Sequence, residues 1–271
     1  MPPVTYAQLL TNGWTRHSLQ RAVTRGTVRR LARGWYDVGG CTSDELAALA
    51  AGGRIGCLTG LRDHGVWVPP SRHPHLITPR WCPPAGVGVG HALPRDAEWS
   101  DCAVTYDVVE CLRQALRHHG SETGLIVLES ACHLGLVGIA TARTLIAESA
   151  PRRRRQLAWF DPRAESGTET RVRLFLQRRG YRVRPQVQVP AVGRVDLLVG
   201  ESLIIECDSH AHHTGEGSYR SDRARDLAAA AGGYRVLRLT WEQCFLDWPA
   251  TTELLLTHLQ KREYLRRATP T

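Results

Sequence analysis

The C-terminal part of the chain shows the clearest alternation of apolar and polar positions. Ser166–Arg179 carries apolar residues at helical spacing, and Gly180 ends that stretch. Tyr181–Val189 alternates as a strand, in which Pro185 predicts an edge position or a bulge. The same criteria predict further strands and helices at Val195–Val199, Leu203–Cys207, Asp222–Ala231, Tyr234–Leu239 and Thr251–Arg267. The segment 164–271 is therefore predicted to contain a domain with the order αβββαβ.

Residues 1–40 have the pattern of two short helices followed by a hairpin. Thr5 and Thr15 are suited to capping the helices, and Thr27–Val38 alternates around a turn near Arg33-Gly34. This order predicts a winged helix-turn-helix domain that contacts DNA through its arginines. The alternative is a small helical cap with a solvated arginine face. The candidate DNA-binding residues are Arg16, Arg21, Arg25, Arg29, Arg30 and Arg33.

Residues 41–150 mix helical segments with proline-rich and β-like pieces, which indicates a small α+β middle domain. We assign no activity to it, and a favourable helix-dipole interaction accounts for His118-His119 before Gly120. Four consecutive arginines within 151–163 predict a solvated basic linker, with phosphate contacts as the second interpretation. The fold class is thus mixed α+β overall, with α/β character in the C-terminal domain.

Charge is distributed unevenly along the chain, whose net charge is +9. The first forty residues hold six arginines against one aspartate, the middle is acidic, and residues 151–271 hold 21 basic against 14 acidic groups. Two basic ends around an acidic middle favour a polyanionic partner, and DNA is the first candidate.

Several other classes of protein are not favoured. The apolar run Leu125–Ile139 is too short and too polar to span a bilayer, and no secretory signal is visible, so a cytoplasmic location without membrane contact is expected. The eight cysteines include no C-x-x-C pair and are interpreted as scattered buried thiols. The sequence leaves a homodimer open.

Acidic residues in the predicted strands form the candidate catalytic site. With a loop at 200–202, Asp196 is expected directly opposite Glu206, and period two places Asp208 on the same face. Carboxylates at such short distances repel one another unless a cation neutralises them. Oxygen ligands suit Mg²⁺ or Mn²⁺. The alternative is that the acids pair with arginines such as Arg194 or Arg225.

Three histidines near Cys207, namely His210, His212 and His213, raise a zinc interpretation as well. Zinc would require four converging ligands, whereas these residues are crowded at one strand end. Magnesium is the preferred prediction.

The stretch from about Glu165 to Phe245 resembles the Vsr-like branch of the PD-(D/E)xK endonucleases, which includes very-short-patch mismatch repair enzymes. The motifs that carry the resemblance are SGTETRVRLFLQRRGYRVRPQ, GRVDLLVGESLIIECDSHAHH and SDRARDLAAAAGGYRVLRLTWE. The resemblance implies a restriction-endonuclease-like core and metal-assisted hydrolysis of DNA.

The family motif can be followed residue by residue. Glu169 corresponds to the acid of the first helix, Asp196 to the aspartate of the "PD" strand, and Glu206 to the acid of the "(D/E)xK" strand. Asp208 stands where the motif has lysine, and His213, or alternatively His212, corresponds to the histidine that follows. The resemblance also implies metal contacts from Asp196, Glu206 and the Cys207 carbonyl, a proton-transfer role for His213, and phosphate contacts from Gln186 and Arg225. Asp222 lies on the charged helix that follows and is an alternative site residue.

The N-terminal segment, containing TNGWTRHSLQRAVTRGTVRRLARGWYDV, resembles the winged-helix domain of type IV abortive-infection antitoxins. That resemblance implies DNA targeting. Two functions follow: a metal-dependent DNA endonuclease in repair or phage defence, or a non-catalytic, antitoxin-like transcriptional regulator with a degenerate nuclease fold.

Overall fold

The computed structural model of the protein describes residues 2–79, 88–93, 98–207 and 216–265, with 216–222 and 263 as backbone alone. The chain divides into two compact units, Met1–His119 and Gly120–Thr271. Both contain helices and strands, which confirms the mixed α+β class. Within the described ranges, no helix is both long enough and apolar enough to cross a membrane.

The first unit alternates short helices and strands. Its elements are β1 (Val4–Thr5), α1 (Tyr6–Thr11), α2 (Arg16–Thr24), β2 (Arg29–Ala32), β3 (Trp35–Asp37), α3 (Ser43–Ala50), β4 (Arg54–Ile55), α4 (Cys57–Asp63), β5 (His75–Thr78), β6 (Val89–Ala92) and α5 (Val108–His118).

Both N-terminal helices begin where the capping residues predict. The Thr5 and Thr15 hydroxyls accept hydrogen bonds from backbone N–H groups of the first turns of α1 and α2. The predicted hairpin is β2 and β3, and β1, which the sequence pattern did not indicate, pairs with β3 to give the order β1-β3-β2. Leu9, Leu19 and Val28 form the core beneath these elements.

The rest of the first unit is built on a second sheet with the order β4-β5-β6. β4 and β5 are antiparallel, whereas β5 and β6 are parallel. Helices α4 and α5 contact each other, and α4 also packs on β5. Ile55 and Leu76 lie in the core of this region.

The second unit surrounds a four-strand layer with helices. Its elements are α6 (Ser121–His133), α7 (Ile139–Glu148), α8 (Pro151–Leu157), α9 (Gly167–Gln177), β7 (Val183–Val189), β8 (Gly193–Val199), β9 (Leu203–Cys207), α10 (Glu216–Ala231), β10 (Arg235–Leu239), α11 (Trp241–Phe245), α12 (Trp248–Gln260) and a 3-10 helix at Glu263–Leu265.

The predicted order αβββαβ is confirmed by α9, β7, β8, β9, α10 and β10. These strands form a sheet in the order β10-β9-β8-β7, in which β10 runs parallel to β9 and the other pairs are antiparallel. One face packs on α9 and α12 through residues such as Leu197 and Ile205. The opposite face packs on α10 through Leu198 and Ile204. The sheet is therefore buried on both faces.

The unit boundary differs from the predicted domain boundaries. It lies at His119/Gly120, so α6 and α7, predicted to belong to a middle domain 41–150, are part of the second unit. The physical reason is a buried ion pair, because Glu129 of α6 and Arg173 of α9 meet at 2.6 Å with both side chains almost fully buried. Charges buried to that extent require each other.

The predicted linker 151–163 also differs from the structure, because it begins with helix α8. Pro151 occupies the first turn, where proline is tolerated, and Leu157 is buried. The arginines at 152, 154 and 155 are exposed, so the expectation that this run is solvated is confirmed although its conformation is helical.

Candidate functional site

The β8–β9 hairpin brings Asp196 and Glu206 to adjacent positions. The observed pairing of Leu198 with Ile204 is the predicted register, and extending it beyond Leu197 and Ile205 places Asp196 opposite Glu206. At this end of the hairpin the backbone N–H groups donate to the two carboxylates instead of to backbone carbonyls of the paired strand. The Asp196 N–H donates to Glu206 Oε2 at 3.2 Å, and the Cys207 N–H donates to Asp196 Oδ2 at 2.8 Å.

Helix α9 brings a third carboxylate to the same end of the sheet. Ser166 caps α9 by accepting from the Glu169 N–H at 3.1 Å, which places Glu169 in the first turn, where it is 3% exposed. The Gln186 amide then links two acids, because its Nε2 donates to Glu169 Oε2 at 2.8 Å and to Asp196 Oδ1 at 3.3 Å.

Gln186 holds that position at a conformational cost. Its φ of 52° lies in the left-handed region, which residues other than glycine rarely adopt. Pairing between β7 and β8 includes Pro185 with Leu197 and Val187 with Val195, but not Gln186 with Asp196. Pro185 thus lies in an edge strand beside an interruption in pairing, as its presence predicts. The Gln186 Oε1 atom is buried and has no hydrogen-bond partner within the described part of the chain.

The electrostatics of the site disfavour three full negative charges. Burial raises the pKa of Glu169 to about 7, and the nearby Asp196 carboxylate acts in the same direction. Burial likewise raises the pKa of Glu206 to about 7, again with a contribution from Asp196. Near neutral pH the site therefore binds protons unless a cation or arginine compensates its charge.

Arg225 of α10 supplies part of that compensation. Its Nη2 lies 3.2 Å from Glu206 Oε1, and the guanidinium also donates to the carbonyls of Val192 and Arg194. The alternative interpretation of an acid paired with Arg225 therefore applies to Glu206. Arg194 instead pairs with Glu165. The contacts of Arg225 to the protein limit its availability for the predicted DNA contact.

The remaining predicted site residues are placed only in part. Cys207 is buried, and burial raises the pKa of its thiol well above the usual value. The predicted metal contact of this residue is through its backbone carbonyl. Asp222 lies in α10 where the backbone alone is described. Asp208, His210, His212 and His213 lie outside the described residues.

The six N-terminal arginines are all exposed. Arg21 lies in α2, and Arg25, four residues later, directly follows the helix as its C-cap residue. Arg29 forms an ion pair within the described part of the chain, because its guanidinium lies 3.1 Å from the Asp37 carboxylate.

A second group of chemically capable residues was missed by the sequence prediction. Cys57, His75, His91 and His119 bring their ligand-type atoms within 4.8 Å of one another in the first unit. The sequence carries little signal for this group, because its members lie on separate elements and 62 positions separate Cys57 from His119.

The helix-dipole interpretation of His118-His119 needs correction. The His119 ring faces the Cys57 sulfur, with Nε2 3.2 Å from Sγ. Burial, with a smaller contribution from the charge of Arg117, lowers the pKa of His118, which disfavours the cationic form that interacts with a helix C-terminus. The prediction that the cysteines are buried is confirmed for Cys57, Cys111, Cys207 and Cys244, whereas Cys41 and Cys132 are partly buried and Cys102 is exposed.

Comparison with models of protein families returned no match, and comparison with curated proteins returned none either.

Proposed function

We propose that the C-terminal unit is a metal-dependent DNA endonuclease of the Vsr-like PD-(D/E)xK type, with a restriction-endonuclease-like core. The observation that supports this most directly is the convergence of Glu169, Asp196 and Glu206 through Gln186 at one end of the sheet. Burying carboxylates side by side costs free energy, and an acidic surface repels DNA, so a binding protein gains nothing from them.

The side chains present fit a hard divalent cation such as Mg²⁺ or Mn²⁺. The donor set consists of carboxylates, and the buried Gln186 Oε1 is an acceptor left over beside them. Asp196, Glu206 and the Cys207 carbonyl would hold the ion, with Glu169 contributing through water. When bound, the cation would neutralise the site and assist phosphodiester hydrolysis as a Lewis acid.

The chain's own groups would prepare and use this site. Gln186 orients the carboxylates of Glu169 and Asp196 by donating to both, and Arg225 orients Glu206. From the family resemblance, His213, or alternatively His212, would accept a proton during hydrolysis, and Asp208 would add negative charge in place of the motif lysine. Asp222, which lies on helix α10, would be an alternative site residue.

Residues 1–40 would direct the enzyme to DNA as a winged helix-turn-helix. The exposed arginines of α2 and β2 support this role, since phosphate contacts need accessible guanidinium groups. Replacing Arg21 and Arg25 together by alanine should weaken binding to a duplex and reduce the slope of log K against log salt by about 2, because each phosphate contact contributes about 0.9. An unchanged slope would remove α2 from the DNA interface.

The catalytic proposal is tested by incubating supercoiled plasmid and mismatched duplex with Mg²⁺ or Mn²⁺. The wild type and Glu201→Gln should nick, because Glu201 is an exposed residue at the opposite end of the β8–β9 hairpin that pairs with Arg182. Asp196→Asn and Glu206→Gln should be inactive while keeping the wild-type circular dichroism spectrum. Equal nicking by all four proteins would identify a contaminating nuclease and end the proposal.

The second candidate is a DNA-binding regulator with a degenerate nuclease fold. The pairing of Arg225 with Glu206 favours it, because an arginine can compensate a carboxylate without an ion. This candidate predicts duplex binding in a gel-shift assay, no nicking with either cation, and no effect of Mg²⁺ on the melting temperature. Mg²⁺ that raises the melting temperature of the wild type but not of Asp196→Asn would contradict it.

A further inference from the structure

Four ligand-type side chains converge in the first unit, away from the acidic site. Cys57 lies at the start of α4, His75 on β5, His91 on β6 and His119 directly after α5. Cys57, His75 and His91 are buried and His119 is partly buried. Their ligand atoms all lie within 4.8 Å of one another.

Pairwise hydrogen bonds do not explain this convergence. The Cys57 sulfur lies 3.2 Å from His119 Nε2, and His75 Nδ1 lies 3.0 Å from His91 Nε2. Either contact could exist alone. Both pairs meet at one point, and one thiolate with three imidazoles can complete a tetrahedral site around a shared cation there.

The surrounding structure holds the backbone of Cys57 in a strained conformation that places its side chain in this group. Its φ of 49° is in the left-handed region, where a residue with a side chain is strained. The preceding Gly56 packs so closely on β5 that an added Cβ would lie 2.3 Å from Ile77 Cδ1. The close approach of Gly56 brings the start of α4 against the strand that carries His75.

The histidine rings also have the outer contacts that a metal ligand needs. Ser71 donates its hydroxyl hydrogen to the His73 carbonyl at 2.9 Å and lies 3.1 Å from His75 Nε2. It can therefore accept from a protonated Nε2, which leaves His75 Nδ1 free of hydrogen. Stacking on His118, with ring centroids 4.5 Å apart, holds the His91 ring. Such outer contacts fix the tautomer and the orientation of a ligand.

We propose that Cys57, His75, His91 and His119 form a structural zinc site that ties α4 and α5 to the β5–β6 edge of the second sheet. Four protein ligands in a mostly buried setting leave no open position for substrate, which is the character of a structural site. The mixture of sulfur and imidazole selects Zn²⁺ over Mg²⁺, the cation suited to the carboxylates of the other unit. Binding releases the Cys57 thiol proton to solvent.

The test measures metal in the full-length chain, prepared without a histidine tag. Wild-type protein, Cys102→Ser and His64→Gln should retain equimolar zinc after dialysis against a weak chelator. These controls replace an exposed cysteine and a histidine that bonds the Tyr106 carbonyl, both outside the group. Cys57→Ser and His91→Gln should lose the zinc. Ser71→Ala should keep the ligands but bind zinc about tenfold more weakly.

A second measurement remains informative if the ligand variants do not fold. Titrating metal-free wild type with Co²⁺ should produce a thiolate-to-cobalt charge-transfer band and tetrahedral d–d bands, and Zn²⁺ should abolish them. Folded wild type without zinc and without that band would show a hydrogen-bonded histidine group and overturn the proposal. Equal zinc loss from Cys102→Ser would overturn it as well. None of these readouts depends on DNA cleavage.

Discussion

Removing the charge of Glu129 should destabilise the second unit strongly. Both Glu129 oxygens accept from Arg173 Nη2, at 2.6 and 2.7 Å, and both side chains are about 1% exposed. The Thr170 hydroxyl and the Asp161 N–H also donate to this carboxylate, at 2.6 and 2.8 Å. In Glu129→Gln the Arg173 guanidinium would remain buried without a counter-ion.

The expected loss in the free energy of unfolding is about 3 kcal/mol, the lower part of the range for breaking a buried ion pair. The lower part applies because Arg173 keeps hydrogen bonds to the Trp159 carbonyl and to Gln177 Oε1. The double variant Glu129→Leu/Arg173→Met should recover part of the loss, since an apolar pair needs no compensating charge but leaves the Asp161 N–H without its acceptor.

Urea denaturation followed by circular dichroism measures this effect, with the transition of each unit fitted separately. Glu165→Gln is the matched control, because its ion pair with Arg194 is solvent-exposed and should contribute less than about 1 kcal/mol. If Glu129→Gln were no more destabilising than Glu165→Gln, the buried pair could not be the interaction that joins α6 to α9.

Two further predictions concern the same unit. Because burial raises the pKa of Glu169 from 4.5 to about 7, its contribution to stability is fully present below about 4.5 and is lost as pH rises through about 7. Without divalent metal, the free energy of unfolding should fall over that window by at most about 3 kcal/mol from this group. Glu169→Gln should reduce the dependence without abolishing it, because the pKa of Glu206 is also raised to about 7; a slope unchanged in the variant would refute the assignment. Gly200→Ala should lower the free energy of unfolding of the unit by about 1–3 kcal/mol. The reason is that φ is 60° at Gly200 and the added Cβ would lie 2.5 Å from the Tyr264 carbonyl oxygen. A melting temperature within error of the wild type would contradict the second prediction.

The C-terminal elements were predictable because their signals are local. Capping residues and the alternation of side chains act over a few positions, so the sequence predicted Leu203–Cys207 with the observed bounds and the register of Leu198 against Ile204. That register in turn placed Asp196 beside Glu206. Gln186 as the bridging residue was not predictable, because its φ and its two acceptors depend on α9 as well as on the strand.

The sequence by itself determined the order of the C-terminal helices and strands, the N-terminal capped helices and the pairing of the two central acids, because each follows from short-range geometry. Only the tertiary structure decided the unit boundary and the Cys57 group. The buried Glu129 carboxylate places α6 in the same unit as Arg173, its counter-ion. The four ligand-type residues of the Cys57 group come together only when distant elements pack against one another. Neither the Glu129–Arg173 partnership, 44 positions apart, nor the 62-residue separation of Cys57 from His119 leaves a periodic trace in the chain.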